Sequence, residues 1–290
     1  LEILDRLETM SDLFAKTMLK RKKLGFIGTG NLAQAIITAL VEENSIAREN
    51  IYITNRTPGK PTKLKKKFPE INYLSNNEEL VETCDIVVFA MKPQDLQNAV
   101  EPISYVFDKS KLVISLAAGV TIQNLKRLVP EAGDIFRVMA NTPARVKRGV
   151  FGYCSTNNNS ANESYILELF SPLGLVVAAE EGEEFDALTV ACSSGTGFVL
   201  ELLHYWQDWL QDRGYEEEIA KKMAIETFIG AAELAKQAEH LSVEELRDQV
   251  TSKKGVTIAG LEKMREFEVE GNLAMSFEKA IQRNRQLAID

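Results

Sequence analysis

Short apolar runs alternate with segments of helical period through the first half of the chain. Runs at 24–27, 51–54, 71–74, 86–90, 112–116 and 135–139 read as strands, and the stretches 32–42, 60–67, 77–83, 96–106 and 122–129 between them read as helices. Strands that are apolar at nearly every position and separated by helices predict a parallel sheet covered on both faces. A seventh strand at 149–154 and an extension through 175–178 finish this domain. The pattern then changes: of eight prolines, none follows Pro172. The segment 198–210, FVLELLHYWQDWL, is apolar on nearly every side. Such a helix is expected to be buried all round. A small second domain has little interior for it, so a subunit interface is the expected cover. Further helices are expected at 216–239, 243–250, 258–269 and 272–287.

A chain of 290 residues fits two domains, at about 150 residues each. A hydrophobic content of 45% with 26% charged residues is that of an ordinary globular protein, and the net charge of −8 argues against a nucleic-acid surface. Cys84, Cys154 and Cys192 are scattered, with no CxxC pair. They indicate neither a disulfide framework nor a zinc site, no metal is expected, and a reducing, cytoplasmic compartment fits. No apolar run approaches the ~18 residues of a membrane span, and no membrane partner is expected. Residues 1–22 carry Glu2, Asp5, Glu8 and Asp12, with basic residues last, the reverse of a signal peptide. Leu4, Leu7, Leu13, Phe14 and Met18 recur at roughly helical spacing, which suits a docked amphipathic extension and a partly ordered tail equally.

The most informative stretch is KLGFIGTGNLA at 23–33. A strand runs into Gly28-Thr29-Gly30-Asn31-Leu32-Ala33, and a helix follows at once. That is the order a dinucleotide pyrophosphate needs. The first glycine permits a tight turn, the second lets the backbone approach the phosphates, and Ala33 lets the helix pack close to the strand. The helix N-terminus presents free N–H groups to the anion. This first domain therefore reads as Rossmann-like.

NAD-binding folds usually end the second strand on Asp or Glu, which accepts from the ribose 2′-hydroxyl. Here that position reads Asn55-Arg56-Thr57. Arg56 offers a guanidinium fork for a 2′-phosphate, with Asn55 and Thr57 beside it; a solvated arginine in a turn is the plainer alternative. NADP(H) is expected, with NAD(H) at lower affinity. Later strand ends join the cofactor set: Asn76, then Ala90-Met91-Lys92-Pro93, then Ala117-Ala118-Gly119. Lys92 could meet a cofactor phosphate or a substrate carboxylate, or stand solvated at a helix start. Asn141, before Thr142-Pro143, suits either the cofactor carboxamide or an Asx-type turn.

These residues carry a resemblance. FIGTGNLA, Asn55-Arg56-Thr57-Pro58, AMKPQDL at 90–96, ISLAAGVTI at 114–122, RVMANTPARV at 137–146 and VTSKKGVTIAGL at 250–261 together resemble the pyrroline-5-carboxylate reductase family, over about residues 23–289. The resemblance implies NADPH-dependent reduction of a cyclic imine to proline. It also implies a Rossmann-like NADP domain at 23–180 followed by an all-helical domain at 181–290 that dimerises or forms a higher homo-oligomer. By position, it makes Ser252 and Thr257 the catalytic pair, and Ser252, Gly255, Val256 and Thr257 the site for an imino-acid substrate. On their own, Ser252 and Thr257 suit ordinary N-capping better than a binding role.

Three departures stand out. Lys253-Lys254 replaces the family's proline-glycine pair, Cys192-Ser193-Ser194-Gly195-Thr196-Gly197 replaces its serine-glycine-serine-glycine-proline run, and Ala140 replaces a proline. They leave room for a different cyclic imine, or for a non-catalytic NADP-binding regulatory role. A hydroxyacid dehydrogenase is disfavoured. Such enzymes resemble one another in using a lysine on the first long helix of the second domain, and no lysine occurs between Lys147 and Lys221. Neither His204, in the apolar helix, nor His240, at the end of a polar one, supplies a substitute base.

Overall fold

A computed structural model describes residues 19–57, 59–157, 162–252 and 254–286. The proposed extension at 1–22 therefore lies almost wholly outside the described residues, as does Lys253. The chain divides into two compact units, one made of 1–194 with 280–290 and the other of 195–279.

The first unit is built on eight strands: β1 (Leu24–Ile27), β2 (Ile51–Thr54), β3 (Asn72–Tyr73), β4 (Ile86–Phe89), β5 (Leu112–Ser115), β6 (Ile135–Ala140), β7 (Gly149–Ser155) and β8 (Gly174–Ala178). They form one sheet in the order β3-β2-β1-β4-β5-β6-β7-β8. Every neighbouring pair is parallel except β6 and β7. The antiparallel step follows from the short connection at 141–148, which is long enough for a hairpin and too short for a crossover.

Six helices accompany these strands: α1 (Asn31–Glu42), α2 (Gly59–Lys67), α3 (Asn77–Thr83), α4 (Pro93–Val100), α5 (Ile122–Leu128) and α6 (Glu163–Phe170). Strand residues divide by alternation. Ile86 and Val88 of β4 pack into one core with Phe26, Ile53, Ile36 and Leu40. Val87 and Phe89 pack into the other with Leu80, Leu96 and Leu125. The sheet is thus covered on both faces, as continuous apolar strands require. The expected helix at 96–106 splits into α4 and a 3-10 turn at Glu101–Val106, because Pro102 has no N–H to continue the ladder.

After β8 the chain runs helically from Glu183 to Asp212. α7 (Glu183–Leu188) passes through a wide π-type turn (Thr189–Ser194) into α8 (Gly195–Asp212). This run is long and apolar enough, by length and composition alone, to cross a membrane, a candidate that a search for unbroken apolar runs overlooks. The second unit continues with α9 (Glu217–Gln237), α10 (Val243–Gln249), α11 (Val256–Glu266) and most of α12 (Val269–Gln286). Trp206 of α8 meets Phe228 of α9 edge to face, and Phe198 meets Phe277. Contrary to the expectation of burial all round, Leu200 is 60% exposed and Trp209 58% exposed within this chain.

Candidate functional site

The sheet order places a crevice beside β1. From β1 the chain proceeds outward through β2 and β3, then returns to β4 on the other side of β1. Loops leaving the carboxyl ends of β1 and β4 therefore diverge, and open α/β sheets bind ligands at this switch point. A cavity of about 1010 Å³ lies there.

The first glycine turn forms its floor. Gly28 has φ +99°, and a Cβ on it would stand 2.8 Å from the Ala90 carbonyl oxygen. Backbone bonds hold it from both sides: Gly28 N–H donates to Thr54 O at 3.0 Å, and Ala90 N–H donates to Ile27 O at 2.9 Å. Gly30 differs. Its φ is −66° as the N-cap of α1, and a Cβ would meet nothing nearer than Ala90 O at 3.9 Å. Protein sterics do not demand glycine at position 30, so the free space belongs to the cavity. Among the described residues, Thr29 Oγ1 is a buried hydroxyl without a hydrogen-bond partner. A buried hydroxyl, an uncrowded glycine and the start of a twelve-residue helix together fit the phosphates of a dinucleotide.

The second wall is the turn after β2. Asn55 is spent on structure: its Oδ1 accepts from Thr29 N–H at 3.0 Å, and its Nδ2 donates to Thr57 O at 2.7 Å. It braces the two turns against each other and lines the cavity together with Arg56 and Thr57. Arg56 Nη1 donates to Asp95 Oδ1 at 2.9 Å. Asn76 caps α3 by accepting from Glu79 N–H at 2.8 Å. Lys92 is the N-cap residue of α4, with Pro93 after it.

Of the residues expected around the cofactor, Gly28, Thr29, Gly30, Asn31, Leu32, Asn55, Arg56, Thr57, Asn76, Ala90, Met91, Lys92, Pro93 and Ala118 line this cavity, whereas Ala117, Gly119 and Asn141 do not. The Asn141 amide is committed inside the first unit. Its Nδ2 donates to Cys192 O at 3.0 Å, and its Oδ1 accepts from Val150 N–H at 2.9 Å. It thereby ties the loop after β6 to the π-type turn, and the Cys192 thiol there is pushed up by burial. Ser75, Asn77, Asp95 and Asn98 also line the cavity. Asp95 falls within the AMKPQDL motif without being singled out there; Ser75, Asn77 and Asn98 lie in no motif, and only their places just past β3 and in α4 hinted at it.

Ser252, Gly255, Val256 and Thr257 belong to the second unit. Gly255 is the N-cap of α11, and its N–H donates to Ser252 O at 2.9 Å. A Cβ on Gly255 would stand 2.2 Å from Ser252 Oγ, so the missing side chain lets that hydroxyl fold against the helix start. Among the described residues, no side-chain cap hydrogen bond is made at the N-cap of α11, and Ser252 and Thr257 are exposed. Hydroxyls and N–H groups are thus concentrated where a carboxylate binds well. Lys254, beside them, adopts φ +66°.

A family model described as pyrroline-5-carboxylate reductase dimerisation matches residues 182–287, and one described as NADP oxidoreductase coenzyme F420-dependent matches residues 23–119. The chain is 31% identical to the pyrroline-5-carboxylate reductase of Haemophilus influenzae over 247 residues, covering 84% of this chain and 89% of that one. It is 28% identical to pyrroline-5-carboxylate reductase 2 of Bacillus subtilis, covering 92% and 95%. Among solved structures, the Plasmodium falciparum pyrroline carboxylate reductase with NADP bound matches with a TM-score of 0.83 at 29% identity, covering 93% of this chain and 100% of that one.

Proposed function

The chain belongs to the pyrroline-5-carboxylate reductase family, and from that premise we propose that it is an oxidoreductase that reduces 1-pyrroline-5-carboxylate to L-proline with NADPH, the last step of proline biosynthesis. One observation carries the reading most: similarity at 31% identity runs through both the glycine-turn unit and the helical unit. The cavity at the switch point fits a dinucleotide in size and chemistry.

When bound, NADPH supplies the hydride. The chain's part is to bind and orient. The turn Gly28-Thr29-Gly30 and the first N–H groups of α1 hold the pyrophosphate, and Arg56 and Thr57 take the 2′-phosphate, so that NADH binds more weakly. Asn55 and Asn76 set the turns, while Ala90 to Pro93 and Ala118 shape the wall. We assign Ala117, Gly119 and Asn141 to positioning that wall rather than to direct contact.

On the substrate side, Ser252 and the N–H groups from Gly255, Val256 and Thr257 receive the carboxylate. The Thr257 hydroxyl assists protonation at the ring nitrogen. A protonated imine is already electrophilic, so alignment supplies most of the acceleration.

The chain assembles with copies of itself, as a dimer or larger, through residues 182–287, where the dimerisation model matches. The apolar helical run is then covered by a second copy rather than by lipid. A cytoplasmic setting is supported by three cysteines that stand as free thiols.

Mixing the protein with NADPH and pyrroline-5-carboxylate and following the absorbance of the reduced cofactor tests the activity. Turnover is expected, and Thr257→Ala is expected to lower it at least tenfold with NADPH binding unchanged. NADPH binding without turnover on this or related cyclic imines would point to the regulatory alternative.

A further inference from the structure

Arg56 already has an anion. Its Nη1 donates to Asp95 Oδ1 at 2.9 Å, joining the turn after β2 to the first turn of α4 across 39 residues of sequence. Both residues line the cavity. The contact is single and wet: the Arg56 side chain is 82% exposed and that of Asp95 40% exposed. The second strand ends without the carboxylate that NAD-binding folds place there, yet a carboxylate from α4 has reached the same turn.

We propose that Asp95 is a specificity-determining residue of the cofactor site, an internal carboxylate that competes with the cofactor's 2′-phosphate for Arg56 and thereby narrows the preference for NADPH over NADH. The proposal rests on the reading of Arg56 as the phosphate-binding residue. A phosphate monoester carries up to twice the charge of a carboxylate and offers three acceptor oxygens, so it displaces Asp95 from a single exposed contact. NADPH binding then bears two costs: the lost ion pair and an unpaired carboxylate beside a dianion. NADH bears neither. Its ribose 2′-hydroxyl is instead a donor for which a carboxylate is the ordinary acceptor.

The test is a titration of the whole protein with NADPH and with NADH, read by cofactor fluorescence, for wild type, Asp95→Asn, Asp95→Ser, Arg56→Gln and the Arg56→Gln/Asp95→Asn double variant. Both Asp95 variants are expected to tighten NADPH by up to about fivefold, the range set by an exposed ion pair, with NADH binding unchanged or weakened. In the Arg56→Gln background the tightening should fall to less than half. Weaker NADPH binding in the Asp95 variants would overturn the proposal, as would equal shifts for both nucleotides or an undiminished effect without Arg56. Wild-type protein that binds neither nucleotide would overturn the cofactor reading itself. Wild-type binding with unchanged selectivity in the variants would overturn only the role of Asp95.

Discussion

Two glycines of one turn are glycine for different reasons. At Gly28 the backbone demands it, with φ +99° and a Cβ 2.8 Å from Ala90 O. Gly28→Ala is expected to destabilise the first unit by about 2 kcal/mol or more. At Gly30 a Cβ would meet nothing closer than Ala90 O at 3.9 Å. Gly30→Ala is expected to cost no more than about 1 kcal/mol, the loss of a favoured N-cap residue, and to weaken NADPH binding at least tenfold. Thermal melts and cofactor titrations separate the two outcomes. Lys254 presents the opposite case, a side chain at φ +66° where the family resemblance has glycine. Lys254→Gly is expected to stabilise by up to about 1 kcal/mol, seen as a higher melting temperature. The thiols of buried Cys84 and half-buried Cys154 are pushed from 9.0 up to about 12, chiefly by desolvation. Between those values the folded chain holds protons that the unfolded chain releases. Their contribution to stability is therefore expected to be fully present below about pH 9 and to be lost as the pH rises toward 12, measured by urea unfolding against pH.

Among the elements, α12 shows how a helix can be legible while its contacts are not. Its last turns carry Asn284 and Arg285, which donate to Asp186 at 2.9 and 2.7 Å. Asp186 and Asn284 are both buried, so the C-terminal turns belong to the first unit rather than the second. Asp186→Ala strands the Asn284 amide and is expected to cost about 1–3 kcal/mol. The Arg285 contact, half exposed, contributes the smaller share. Chemical denaturation reads the change. Periodicity located α12 to within a few residues, because apolar spacing is local. It was silent about Asp186, because that contact spans 98 residues. The helix expected at 258–269 begins at Val256 and stops at Glu266, and Glu268 turns at φ +50° before α12.

At the scale of the molecule, the second unit leaves large apolar side chains uncovered within one chain. Tyr205, Trp206 and Trp209 of α8 and Ile219 and Ile229 of α9 are among them. Surface of that kind marks an interface, and the dimerisation family model spans it. Trp209→Glu is expected to shift the protein to a smaller species in light scattering while the cofactor cavity still binds NADPH. By itself the sequence determined the alternation of strands and helices, the glycine turn, the acid missing after β2, and an apolar helix that one chain alone does not bury. Each of these rests on residues close in sequence, where spacing and side-chain chemistry are sufficient. Tertiary structure alone decided that Asn55 braces Thr29 rather than facing outward, that Asn141 is spent on Cys192 and Val150, and that Asp95 reaches Arg56. Those assignments depend on which loop ends the sheet order brings together, and a side-chain hydrogen bond is fixed by a few tenths of an ångström that no local pattern encodes.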